Sequence, residues 1–193
     1  MKLALKPSLK PALSAGPRAL SNLVPFCADL AARAHLGQQR KVTGIPYIVH
    51  PYRVACLVQE YGGTEDQIAA AWCHDVLEDC PDFRQEAEAN LPPGVLALVR
   101  ELTKAEISPG VRVKGEAFLA ELRRMSAPAA FIKIADRMDN LLDGIKCMPK
   151  EWLAKYLPES EQIYEILKAR DGCQEIANLL FDLIGSAHHH LEN

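Results

Sequence analysis

Apolar positions along the chain recur at the three- and four-residue spacing of helices, and the β-branched runs that mark strands are missing. The first such stretch runs from Ser21 to Leu36, with Leu23, Phe26, Leu30 and Ala34 on one face and Gly37 as its stop. GQQRKVTGIPYIV follows as the longest irregular segment, punctuated by Gly44 and Pro46. Pro51 suits the first position of a second helix, which reaches Tyr61 and ends at Gly62-Gly63. Thr64 caps a third, with Glu65 and Asp66 in its first turn, that extends to about Glu78. Further helices are predicted over 93–103, 112–125 and 127–145, and Pro149 and Pro158 open the last ones. The expected fold is all-α: one compact bundle of roughly seven to nine helices over 21–187. A loose extension over 1–20 precedes it, and a frayed tail over 188–193 follows.

Composition agrees with that pattern. Hydrophobic residues make up 49% and charged residues 24%, and the apolar share is mostly Ala and Leu mixed with Glu, Lys and Arg. A chain of 193 residues supports one domain with its own core. No apolar run approaches the ~18 residues of a membrane span, so no membrane partner is expected. Charge is small in total, at −3, but unevenly placed: residues 1–49 carry seven basic groups against one acidic, and residues 50–110 carry four against eleven. That separation suits a small anion brought to a carboxylate-held cation better than a nucleic-acid backbone laid along a broad face. The six cysteines form no C-x-x-C pair, which fits reduced core thiols in a cytoplasmic protein. MKLALKPSLKPALSAGP is basic, and its prolines interrupt any hydrophobic stretch long enough for a secretory signal.

Chemistry concentrates in HDVLED at 74–79. On a continuous helix these polar groups lie at about 0°, 100°, 40° and 140°, so all four share one face. The preceding AAAWC is small and apolar, and four ionisable groups turned inward beside it need a compensating charge. A divalent cation supplies one. His50, placed just before Pro51, and Asp136, an acid inside an otherwise apolar helix, are the candidates to complete the coordination. Together His50, His74, Asp75 and Asp136 form a mixed nitrogen and oxygen set that leaves positions open for water and substrate. It suits Mn²⁺ or Fe²⁺, with Mg²⁺ or Zn²⁺ as alternatives. Outside the closing HHH only His35, His50 and His74 are available, which favours a single ion and leaves His35 as a structural residue.

PYIVHP, HDVLED and IKIADRMDNL, in that order and spacing, resemble the HD-domain superfamily. The resemblance is to the hydrolase domain of RelA/SpoT-type enzymes and their small single-domain relatives, which remove the 3′-pyrophosphate of (p)ppGpp, and it spans about Ala31 to Leu142. It implies that His50, His74, Asp75 and Asp136 hold one divalent metal, Mn²⁺ foremost. Glu78 and Asp79 would orient and deprotonate the attacking water. Arg40 and Lys41 would contact the guanine base and phosphates, Asn140 the sugar, and Thr103 and Lys104 of ELTK the substrate. The implied partner is a small phosphorylated guanine nucleotide. Leu142 stands where the family usually has an arginine, and Lys155 and Tyr156 occupy an altered register. Another nucleotide, such as NADPH or a nucleoside phosphate, therefore stays open, as does a catalytically silent nucleotide-binding module. Arg112 and Lys114 read as a solvated basic face, and Trp152 as a packing residue.

Overall fold

In the computed structural model, which describes residues 22–41, 43–108 and 111–193, the helices fall close to where apolar spacing puts them. They are α1 (Leu23–Ala34), α2 (Val49–Glu60), α3 (Glu65–Cys73), the single turn α4 (Val76–Asp79), α5 (Arg84–Asn90), α6 (Pro93–Leu102), α7 (Glu116–Arg124), α8 (Ala127–Cys147), α9 (Lys150–Leu167) and α10 (Gln174–Glu192). Nine of these, among the described residues, are longer than one turn. A small antiparallel hairpin, β1 (Glu106–Ser108) with β2 (Val111–Arg112), separates α6 from α7. The extension expected over 1–20 lies outside the described residues.

Local signals set the ends that position the site. Thr64 accepts from the Gln67 amide while its own amide donates to the Gln67 side chain, a reciprocal cap that starts α3. Ser126 caps α8 by accepting from the Ala129 amide. The central helix α8 is buried along most of its length and packs on α2, α3, α6, α9 and α10, while α1 and α2 flank α3. No helix of the described residues is long and apolar enough to cross a membrane.

Several elements differ from the sequence reading, each for a local reason. The third helix does not run to Glu78: it stops at Cys73 and resumes at Val76. The carbonyl of Ala71, which a continuing helix would give to the amide four residues on, instead accepts from His74 Nδ1 at 2.7 Å. Helix α2 starts at Val49, ahead of Pro51, because the amides of a first turn have no helical partner to lose. Pro158 lies inside α9 and does not open a helix. Its missing amide is outweighed by a face on which Leu153, Leu157, Ile163 and Leu167 are buried. Glu106–Ser108 pairs with Val111–Arg112, and Gly115, at φ +57°, delays the next helix to Glu116. Helix α10 continues to Glu192, past the predicted fraying, with His188 bonded to Glu161 at 2.6 Å. Of the cysteines, Cys56 and Cys147 are exposed and the other four are buried.

Candidate metal centre and adjoining clefts

The interruption between α3 and α4 places His74 and Asp75 at a bend. With Nδ1 of His74 donating to Ala71, its other nitrogen, Nε2, is left with a lone pair facing inward. Asp75 Oδ2 lies 3.1 Å from that nitrogen and 3.6 Å from His50 Nε2. His50 comes from the first turn of α2, and its Nδ1 donates to Asp139 at 2.7 Å, so Nε2 again points to the centre. Asp136, near the middle of α8, brings Oδ1 to 3.2 Å from His50 Nε2 and 3.9 Å from His74 Nε2. The structure thus brings together all four side chains singled out as ligands, from three separate stretches of chain.

The chemistry of this set fits a divalent ion. His74 Nε2 is fully buried and has no hydrogen-bond partner among the described residues, an expensive condition for an imidazole that a cation would relieve. Donor atoms of His50, His74 and Asp136 lie within 4.8 Å of one another, and Asp75 closes the remaining side. Supporting contacts fix each ligand. Asp139 orients His50, and the Tyr47 hydroxyl donates to Asp75 Oδ2 at 2.7 Å. Lys133 Nζ and Asn140 Nδ2 hold Asp136 at 2.8 and 2.6 Å. Burial and Asp75 together push the Tyr47 phenol up, so it remains a neutral donor.

Two connected clefts meet at this centre. One, of about 190 Å³, contains His50, Asp75, Asp136, Glu78, Asp79, Lys104, Lys133 and Arg137. The other, of about 330 Å³, contains Arg40, Lys41, Asp143, Met148 and Trp152, and the two share Tyr47, Asp79 and Asn140. Asp79 therefore faces both. Burial, reinforced by Asp75 and Glu78, raises its pKa to about 6. Glu78 is more tightly held: Oε2 accepts from the Lys104 amide at 3.1 Å, and Oε1 lies 3.5 Å from Arg112. Arg40 donates to Asn140 and Asp143 at 2.9 and 3.0 Å.

Not every residue expected at the site reaches it. The Thr103 hydroxyl bonds back to the Val99 carbonyl at 2.8 Å, and Thr103 lines a separate surface hollow with Arg100 and Glu121. Its place at the end of α6 turns it away. His35 is buried, bonded to Gln38 at 2.8 Å and packed on the Tyr47 ring, as a structural residue would be. Sequence reasoning missed Tyr47, Asp139 and Asp143 and read Arg112 as a solvated charge. For Asp139 a signal existed, since it follows Asp136 by three residues on the same buried helix. For Arg112, brought in by a hairpin, there was none.

Comparison with known proteins identifies the family. A family model described as an HD domain matches residues 27–174. A human protein named guanosine-3′,5′-bis(diphosphate) 3′-pyrophosphohydrolase MESH1 is 36% identical over 150 residues, covering 75% of this chain and 83% of that one. The Escherichia coli bifunctional (p)ppGpp synthase/hydrolase SpoT is 34% identical over 165 residues, 81% of this chain and 23% of the longer protein. Among solved structures, a metazoan ortholog of SpoT that hydrolyzes ppGpp superposes with a TM-score of 0.74 at 26% identity, covering 88% of this chain and 99% of the other. A Listeria monocytogenes protein shares the fold alone, with a TM-score of 0.55 at 20% identity. With its matching family model and its relatives in agreement, the chain belongs to the HD-domain family.

Proposed function

We propose that this protein is a Mn²⁺-dependent hydrolase that removes the 3′-diphosphate of (p)ppGpp. The observation that carries the reading is the buried, unpartnered His74 Nε2 facing His50, Asp75 and Asp136 beside a cleft with Arg40 and Lys41 at its wall. His50, His74, Asp75 and Asp136 would hold the ion, which, when bound, supplies Lewis acidity toward water and a phosphoryl oxygen. Asp79 is the base: it borders both clefts, and a carboxylate with a pKa of about 6 accepts a proton at neutral pH. Glu78, tied to the Lys104 amide and Arg112, positions the water. Arg40 lines the nucleotide cleft together with Trp152, where a planar guanidinium stacks on a purine, and Lys41 supplies a point charge to phosphate. Asn140, shared by the two clefts, reaches the sugar between base and reacting phosphate. The buried thiols support a reducing, cytoplasmic setting.

The names of the relatives point to the same substrate. Purified protein supplied with Mn²⁺ is expected to release pyrophosphate from ppGpp, and His74→Ala to lower turnover by at least 10³-fold, as loss of a metal-dependent step implies. Absence of product from ppGpp with Mn²⁺ bound, alongside turnover of NADPH or a nucleoside monophosphate, would reassign the substrate.

A further inference from the structure

Besides His50, helix α2 carries one basic residue, Arg53, a turn further along. Asp139 and Asp143, also one turn apart, face this pair from α8. The contacts form a ladder. His50 Nδ1 donates to Asp139 Oδ2 at 2.7 Å, while Arg53 Nη1 donates to Asp143 Oδ1 at 3.0 Å and lies 3.6 Å from Asp139 Oδ1. The other oxygen of Asp143 accepts from Arg40, from Nε at 3.1 Å and from Nη2 at 3.0 Å. Arg40 Nη2 also donates to Asn140 at 2.9 Å, and its guanidinium carbon lies 5.7 Å from the centroid of the Tyr47 ring. Arg40 is 13% exposed and lines the nucleotide cleft, whereas Arg53 is 42% exposed and lines neither cleft.

Asp139 and Asp143 repel each other, as like charges one helical turn apart do. Two arginines set against two carboxylates balance that charge, and one arginine would not. Without Arg53, Arg40 would face both acids alone, its Nη2 already 3.0 Å from Asp143 and 3.8 Å from Asp139. The pull toward Asp139 would turn its plane from the orientation in which Nε and Nη2 share one oxygen of Asp143. Stacking on a flat base depends on that plane.

We infer that Arg53 is a positioning residue for nucleotide binding: from outside the cleft it holds Asp143, and Asp143 sets the guanidinium plane of Arg40. This deepens the hydrolase reading and rests on it for the identity of the nucleotide. Among the described residues the ion pairs of Arg53 are with Asp139 and Asp143, so its effect falls on binding and not on the step that breaks the phosphate ester.

The test is a double-mutant cycle read by calorimetric titration of guanosine 5′-diphosphate, the nucleotide left when the 3′-diphosphate departs, into Mn²⁺-loaded protein. Arg53→Met is expected to weaken binding about three- to tenfold, the range of a half-exposed ion pair coupled to a binding group. Arg53 uses a single nitrogen, so Arg53→Lys should restore most of the affinity. In an Asp143→Asn background Arg53→Met should cost little more, because the residue it acts through has already lost its charge. In turnover of ppGpp, Arg53→Met should raise KM by a similar factor and leave kcat within about twofold, as loss of uniform binding does. Unchanged nucleotide affinity in Arg53→Met overturns the inference, as do losses from Arg53→Met and Asp143→Asn that simply add. A fall in kcat with KM unmoved overturns it too. Absence of ppGpp turnover with this binding pattern intact refutes the hydrolase reading and leaves the role of Arg53 standing. Normal turnover with a KM indifferent to Arg53→Met refutes only that role.

Discussion

Asp139 accepts from His50 Nδ1 at 2.7 Å and lies 3.8 Å from Arg40 and 3.6 Å from Arg53. One buried carboxylate thus orients His50 and lies within ion-pair range of two cations, Arg40 of the nucleotide cleft among them. Removing it leaves the His50 N–H without its acceptor and the ring free to turn. Asp139→Ala is expected to weaken Mn²⁺ binding about ten- to a hundredfold, measured by competition with a chelating dye. Asp79 makes a second residue-level prediction. Burial and the neighbouring Asp75 and Glu78 raise its pKa to about 6, so below that pH it is mostly protonated and cannot act as a base. The value of kcat/KM is therefore expected to fall about tenfold per pH unit on the acid side. Bound Mn²⁺ moves this limb lower, and Asp79→Asn should remove the limb together with most of the rate. A profile flat down to pH 4.5 would assign the base elsewhere.

At the scale of elements, α8 and α9 meet at Gly144, where an added Cβ would lie 2.8 Å from Trp152 Cζ3. Trp152 is itself stacked on Tyr156, with ring centroids 4.4 Å apart, so it has little room to yield. Gly144→Ala gains about 1 kcal/mol of helix propensity but incurs about 1–3 kcal/mol of overpacking. Urea unfolding should show a net loss of up to about 2 kcal/mol, and KM should rise as the wall of the nucleotide cleft shifts. The helices themselves were legible because apolar spacing and caps such as Thr64 and Ser126 are local signals. The convergence of His50, His74, Asp75 and Asp136 was foreshadowed by ionisable groups beside small apolar residues, by an acid inside an apolar helix and by a histidine set just before Pro51. What escaped depends on contacts between distant segments. The bend at His74 follows from a side chain capturing a helix carbonyl, and the pairing of β1 with β2 brings Arg112 onto Glu78. Thr103 fits its motif but spends its hydroxyl on α6.

For the molecule as a whole, the proposed function couples ion binding to folding, because the proposed ligands come from α2, the α3–α4 bend and α8. The unfolded chain cannot assemble them. At a hundredfold excess over Kd, Mn²⁺ should add about 2.7 kcal/mol of stability, which for a domain of this size raises Tm by about 5–10 °C. His74→Ala should melt at the same temperature with and without the ion, by scanning calorimetry; an undiminished shift would place the ion at another site. The same α8 that supplies Asp136 also carries Lys133, Arg137, Asn140 and Asp143, so catalysis and recognition are machined into a single rod. Sliding or rotating it to suit a new ligand would misalign the ion in the same motion. Changes in preference among descendants of this fold are therefore channelled to the segment around Arg40 and to α9, which can be remodelled while the rod stays still.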